Sequence, residues 1–129
     1  MTVLLDTDVL IDCLRGTPGA LDWLTRNAST SFQVPGIVAM ELLAGCRSQS
    51  DLQRVQAFLS AFDIVWPEAA EFAHAYALMV QYRLVSALSI PDCLVAAVAL
   101  SRSARLYTFN LRHFQIVAGL DTQEPYARA

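Results

Sequence analysis

The sequence predicts an α/β protein, a three-layer α/β/α sandwich around a mainly parallel central sheet. Two observations carry that expectation. Short apolar runs alternate along the chain with segments of helical periodicity, which is the pattern of a parallel sheet covered by crossover helices. Turn signals fall at short intervals, at Gly16-Thr17-Pro18-Gly19, Pro35-Gly36, Pro67 and Pro91, with no repeat, low-complexity tract or linker between them. Residues 1–129 are therefore expected to form one domain, long enough to bury about two thirds of the surface of the unfolded chain.

The elements follow in order. Thr2 to Leu5 is an apolar run before an acidic turn, and Asp8 to Leu14 reads as a helix stopped by Arg15-Gly16. Leu21 to Arg26 suggests a second helix and Ser31 to Val34 a strand; Ile37 to Cys46 is a helix opening after Pro35-Gly36. Asp51 to Ala61 is amphipathic, with Leu52, Val55, Phe58 and Leu59 on one face. Phe62 to Trp66 is a strand candidate. Pro67, with Glu68 and Glu71 behind it, starts a long helix reaching Arg83, whose expected apolar stripe includes Phe72, Tyr76 and Met79. Ser89 to Arg102 is apolar nearly all round and is assigned to the interior. Leu106 to Phe109 and Gln115 to Val117 read as two late strands.

Composition narrows the class of function. The chain is 55% hydrophobic, yet no run approaches the roughly 20 apolar residues that a membrane helix needs, and the start of the chain has neither a basic region nor a long enough apolar run for a secretion signal. A soluble, cytoplasmic protein is expected. Cys13, Cys46 and Cys93 are widely spaced in apolar stretches, fit neither a disulfide framework nor a zinc motif, and are expected to be buried and inert. All nine basic residues are Arg, and the net charge of −3 argues against generic electrostatic binding of nucleic acid. No Gly-rich phosphate loop and no G-x-S-x-G elbow occurs, so Ser or Cys nucleophile chemistry has no support.

Three carboxylates stand out. Asp6 sits at the carboxyl end of the first strand, where ligand sites of open α/β sheets form. Glu41 is the only polar side chain between Val34 and Gly45, beside Met40, Leu42 and Leu43. Asp92 is the only charged residue between Leu84 and Leu100. A buried carboxylate has to be paired, protonated or metal-bound, and three oxygen ligands from separate elements suit a hard divalent cation such as Mg²⁺ or Mn²⁺. Each also has a plainer reading: Asp6 as a turn residue, Glu41 as the exposed point of its helix, Asp92 as the partner of Ser89 in a capping box. Asp8 is expected to cap its helix, with a supporting role at the site possible in addition, and Asp12 to be solvated. His74 and His113 are too few and too far apart for a zinc pattern, and are assigned polar or structural roles.

The segments Val3-Leu4-Leu5-Asp6-Thr7-Asp8-Val9-Leu10-Ile11, Val38-Ala39-Met40-Glu41-Leu42 and Ile90-Pro91-Asp92-Cys93-Leu94-Val95-Ala96-Ala97 resemble, in order and spacing, the three acidic motifs of the PIN-domain ribonucleases, especially the VapC toxins of toxin–antitoxin pairs. Leu106 to Phe114 is similar to that family's closing T-x-(D/N)-x-x-x-F signature, and the likeness covers nearly the whole chain. The resemblance implies a Mg²⁺- or Mn²⁺-dependent endoribonuclease acting on RNA, blocked by a cognate antitoxin and commonly a homodimer, with Asp6, Glu41 and Asp92 as metal ligands. Where the family often has a fourth acid this chain has Asn110, an amide that ligates through oxygen but adds no charge, so one well-held metal is expected. The likeness implies Thr108 as a supporting hydroxyl, with an ordinary strand threonine as the alternative, and Arg83, Arg102, Arg105 and Arg112 are candidate phosphate contacts, with surface solvation as the alternative for each. Two rivals remain: a haloacid-dehalogenase-like phosphatase (or, sharing its weakness, a receiver domain), because Asp6-Thr7-Asp8-Val9 looks like D-x-D-x-(T/V), and a PIN-fold binding module with impaired catalysis. The absence of Lys weakens the first, and Asn110 keeps the second open.

Overall fold

The structure, a computed structural model, describes residues 2–128. Five strands, β1 (Val3–Leu5), β2 (Phe32–Pro35), β3 (Asp63–Val65), β4 (Arg105–Tyr107) and β5 (Asp121–Gln123), pair in the order β3-β2-β1-β4-β5. Every pairing is parallel. Helices α1 (Thr7–Leu14), α2 (Pro18–Arg26), α3 (Gly36–Ala44), α4 (Gln49–Leu59), α5 (Ala69–Tyr82), α6 (Ile90–Ser101) and α7 (Leu111–Phe114) fill the connections and flank the sheet. The central strand β1 is buried throughout, as a strand covered on both faces must be, and its run of Val3, Leu4 and Leu5 contains nothing polar. The strand order reverses at β1, so the crevice between the carboxyl ends of β1 and β4 is the topological switch point, where open α/β sheets bind ligands. Gly36 starts α3 because the Trp66 ring, arriving after β3, lies where a side chain would stand.

The last strand is not where the apolar pattern placed it. Gln115 to Val117 does not enter the sheet; it follows α7 in turns, and Val117 is buried as an anchor. The strand comes later, at Asp121-Thr122-Gln123, which pairs on one side only, with β4, and is largely exposed. Such a sequence is held by its partner strand, not by burial.

Helix α5 is rotated from its expected phase. Its buried residues are Glu71, Ala75, Leu78 and Tyr82, while Phe72, Tyr76 and Val80 are exposed. The reason is close packing against α6, where Ala96, Ala97 and Ala99 are fully buried: small Ala75 faces inward in place of the larger side chains one position on. Glu71 then reaches Arg102, whose Nε donates to Oε2 at 3.1 Å and Nη2 to Oε1 at 3.2 Å. Burial raises the Glu71 carboxyl, but the guanidinium outweighs it and holds the group below the ordinary carboxylate range. Arg102 is thereby a structural cation and not a phosphate contact. Because removing one partner of a buried pair strands the other, Arg102→Met is expected to destabilise the protein by about 3 kcal/mol in urea unfolding. Arg105 is likewise committed, to Asp121 at 3.2 Å across the β4–β5 pair, leaving Arg83 and Arg112 without ion pairs among the described residues. No helix among the described residues is long and apolar enough to cross a membrane.

Candidate metal centre

The carboxyl end of β1 is tied to that of β4 before any side chain is considered, since the Asp6 amide donates to Tyr107 O at 3.0 Å. Asp6 has extended backbone and caps α1, its Oδ1 accepting from the Thr7 amide at 2.9 Å. Its Oδ2 accepts the hydroxyl of Thr108 at 2.8 Å, and Thr108 is wholly buried. The cap of α1 is therefore Asp6 and not Asp8. Asp8, the second residue of α1, reaches across to the loop after β4, where Oδ2 accepts from the Phe109 amide at 3.0 Å, and Oδ1 is buried without a partner among the described residues. Thr108 also accepts from the Asn110 amide at 2.9 Å, so one hydroxyl links Asp6 to the segment that carries Asn110.

Glu41 approaches from α3 and accepts the hydroxyl of Thr7 at 3.0 Å, which ties α3 to the residue between Asp6 and Asp8. Glu41 is exposed, as is its neighbour Met40, and Leu43 is only half-buried; the expectation of a carboxylate among core residues holds for Asp6 and fails for Glu41. Asp92 occupies the first turn of α6 and forms the capping box with Ser89: Asp92 Oδ2 accepts from the Ser89 amide at 3.0 Å, and the Asp92 amide donates to Ser89 Oγ at 3.2 Å. Its side chain is 20% exposed, which leaves carboxylate surface for a further partner.

The electrostatics mark these groups as a set. Burial pushes the Asp6 carboxyl up to about 6, the charges of Asp8 and Asp92 push the same way, and the bonds from Thr108 and Thr7 oppose them. Burial also raises Asp8 above its ordinary range. No Arg forms an ion pair with Asp6, Glu41 or Asp92 among the described residues. Nor do three of the His, Cys, Asp and Glu side chains there converge tightly enough to make a ready-formed cage. The donor set is oxygen throughout, includes a buried carboxylate atom with no partner, and carries unneutralised negative charge; it fits a hard divalent ion and suits neither zinc nor copper.

Two features escaped the sequence reading. Asp12, expected in solvent, is buried and accepts from Tyr126 OH at 2.8 Å and from Arg128 Nε at 3.1 Å. Burial raises its carboxyl, but Tyr126 and Arg128 together hold it below the ordinary range. The Arg128 guanidinium also stacks 3.9 Å above the Phe109 ring, so the C-terminal segment clamps α1 to the loop that carries Asn110. His113, set aside as structural, lies at the site: its Nδ1 is 2.7 Å from Asn110 Nδ2 and 3.9 Å from Asp92 Oδ2. His74 is exposed on α5 and takes no part. Cys13 and Cys93 are buried with raised thiols, Cys13 to about 11, whereas Cys46 is only half-buried and borders a groove beside Glu41.

Acidic oxygen donors at the switch point of a parallel sheet suit a divalent ion, and such an ion is able to act on phosphate esters. The family model of the PIN domain matches residues 3–120. The chain is 35% identical over 128 residues to ribonuclease VapC19 of Mycobacterium tuberculosis, covering 95% of this chain and 98% of that one, and 29% identical over 127 residues to ribonuclease VapC10 of the same organism, covering 97% and 93%. Among solved structures it resembles a toxin–antitoxin complex from Klebsiella pneumoniae, with a TM-score of 0.78 at 26% identity over 98% of this chain and 100% of that one. It also shares its fold with DNA-bound VapBC from Salmonella typhimurium, with a TM-score of 0.84 at 23% identity over 97% and 98%. The chain belongs to the PIN-domain family, as a VapC-type ribonuclease toxin. That membership removes the phosphatase reading of Asp6-Thr7-Asp8.

Proposed function

We propose that the chain, acting as a single nuclease domain in the cytoplasm, hydrolyses RNA phosphodiester bonds with Mg²⁺ or Mn²⁺ held by Asp6, Asp92 and Glu41, with Asn110 as an additional oxygen donor. The observation that carries this is the state of Asp6: buried, raised to about 6 by burial and by the charges of Asp8 and Asp92, and held in place by Thr108. A cation bound there would offset the cost of keeping this buried carboxylate charged at neutral pH. The ion supplies Lewis acidity toward phosphate and water. The protein supplies position. Thr108 and the Thr7 amide fix both oxygens of Asp6, Asp8 anchors the loop after β4, and the capping box fixes Asp92. Glu41, exposed and bonded to Thr7, would supply a further carboxylate oxygen to the ion from α3. Next to it a groove of about 400 Å³ between α1, α3 and α4 carries Arg15 and Arg54, which take the role of phosphate contacts in place of Arg102 and Arg105.

Purified protein free of inhibitor is expected to cleave RNA with Mg²⁺ or Mn²⁺ and to stop on addition of chelator. Cleavage that persists in chelator would contradict the metal mechanism; no cleavage under any metal would favour the binding module with impaired catalysis. The likeness to a chain of a toxin–antitoxin complex supports a cognate antitoxin as partner, and that antitoxin is proposed to block the site.

A homodimer is proposed through the exposed face of α5. Phe72 (53% exposed), Tyr76 (74%) and Val80 (72%) form an i, i+4, i+8 apolar stripe on it, and single-stripe exposure of large apolar groups marks an interaction surface. Tyr76→Asp is expected to halve the mass measured by light scattering without lowering the melting temperature of the protomer; an unchanged dimer would place the interface elsewhere.

A further inference from the structure

We propose that Arg128 is a positioning residue that locks the loop after β4 onto α1, so that the segments carrying Asp6, Asp8, Thr108 and Asn110 stay in register. The inference rests on the reading of Asp6, Glu41 and Asp92 as a divalent-ion site, and it assigns part of that site's order to a side chain that bonds to none of the three.

The sheet holds this stretch as far as Thr108, whose amide donates to Gln123 O at 3.1 Å. One residue on, the loop is tied to α1 through the Phe109 amide, which donates to Asp8 Oδ2 at 3.0 Å. Arg128 grips both partners of that bond. Its Nη2 donates to Asp8 O at 3.5 Å, and its guanidinium carbon lies 3.9 Å from the centroid of the Phe109 ring. Its own place is fixed by a fork on Asp12, one turn further along α1, with Nε to Oδ2 at 3.1 Å and Nη2 to Oδ1 at 3.3 Å. Tyr126 braces the same two segments, its hydroxyl on Asp12 and its ring edge-on to Phe109 with 5.0 Å between centroids.

These commitments decide between the uses open to Arg128. A half-exposed Arg in a nuclease invites phosphate, but here Nε and Nη2 are bonded to the protein and the guanidinium is stacked on an aromatic ring. Nor does it serve overall stability, since an ion pair whose cation is 47% exposed contributes little. Its effect is local: without it, the Asp8–Phe109 bond loses a contact on each partner.

The test compares Arg128→Ala and Arg128→Lys with the native protein by hydrogen exchange, Mn²⁺ binding, RNA cleavage and a thermal melt. The Phe109 amide reports the clamp itself, with or without metal. Arg128→Ala is expected to speed its exchange at least about tenfold while the amides of β1 and β4 keep their native rates. Mn²⁺ affinity should fall about tenfold, as loss of a supporting contact does, and kcat should fall with KM held within about twofold. The melting temperature should drop by less than about 4 °C. Lysine keeps the charge but cannot fork and stack, so Arg128→Lys should recover less than half of each loss. Unchanged Phe109 exchange, or full recovery by lysine, would overturn the clamp. A rise in KM with native Mn²⁺ affinity would overturn it in favour of an RNA contact. A native protein that binds no Mn²⁺ would overturn the reading of the site, and the role assigned to Arg128 with it, even where Phe109 exchange follows Arg128.

Discussion

Asp6→Asn is expected to reduce RNA cleavage on the order of 10³-fold or more, because it removes a charged ligand from the centre of the site. The same change is expected to make the metal-free protein more stable. Asparagine preserves the local geometry: its carbonyl accepts from the Thr7 amide and its amide donates to Thr108 Oγ1, whose own hydrogen then turns to Asp8 Oδ2, 3.4 Å away. What disappears is the burden of a buried charge. With a carboxyl raised from 3.8 to about 6, ionisation is harder in the folded than in the unfolded chain. Below about pH 4 both states are protonated and the residue contributes nothing. Between about 4 and 6 the unfolded chain ionises first, and stability falls as pH rises; above about 6 the full penalty, about 3 kcal/mol, is present. Asp12 and Glu71, both lowered, work in the opposite sense, adding stability above the ordinary carboxylate range that is lost in acid. Comparing native protein with Asp6→Asn across pH isolates the Asp6 contribution. Melts in chelator should show the variant ahead at pH 7.5 and level at pH 4, and Mn²⁺ should stabilise only the native protein. A variant less stable at pH 7.5 would show that Asp6 is there for the fold.

Asp92→Asn separates a ligand from a helix cap. The asparagine carbonyl still accepts from the Ser89 amide, and the backbone amide still meets Ser89 Oγ, so the capping box survives and the loss of stability should stay below about 1 kcal/mol. Cleavage should nonetheless fall at least about a hundredfold, since a charged oxygen of the site is gone. Urea unfolding run beside the cleavage assay distinguishes the roles: large destabilisation with retained cleavage would reduce Asp92 to a cap.

What the sequence made legible was local. A Val-Leu-Leu run ending in Asp6 announces a buried strand with an acid at its carboxyl end, and Ser89-Ile90-Pro91-Asp92 announces the start of α6; both are where expected. What it hid depends on residues distant in the chain. Asp12 looks solvated on its own helix, because its partners Tyr126 and Arg128 lie 114 and 116 positions away. The rotation of α5 is set by close packing on α6 and by the Glu71–Arg102 pair, neither of which leaves a trace in the apolar periodicity. Asp121-Thr122-Gln123 has no strand signature, since an edge strand is fixed by the neighbour it pairs with. For Glu41 the sequence left two readings open, burial among apolar neighbours and the exposed point of its helix, and the second holds, since Met40 beside it faces solvent too. His113 reads as polar or structural because it and His74 are too few and too far apart for a zinc pattern; its neighbour is the Asn110 amide, which no histidine spacing reveals.

The central claim is that Asp6, Asp92 and Glu41 share one divalent ion. It is tested most directly by an anomalous difference map from crystals soaked in Mn²⁺. A single strong peak bonded to Asp6 and Asp92, with Glu41 and Asn110 Oδ1 at the same ion, is the predicted result; a peak elsewhere, or none among these residues at saturating Mn²⁺, would contradict it.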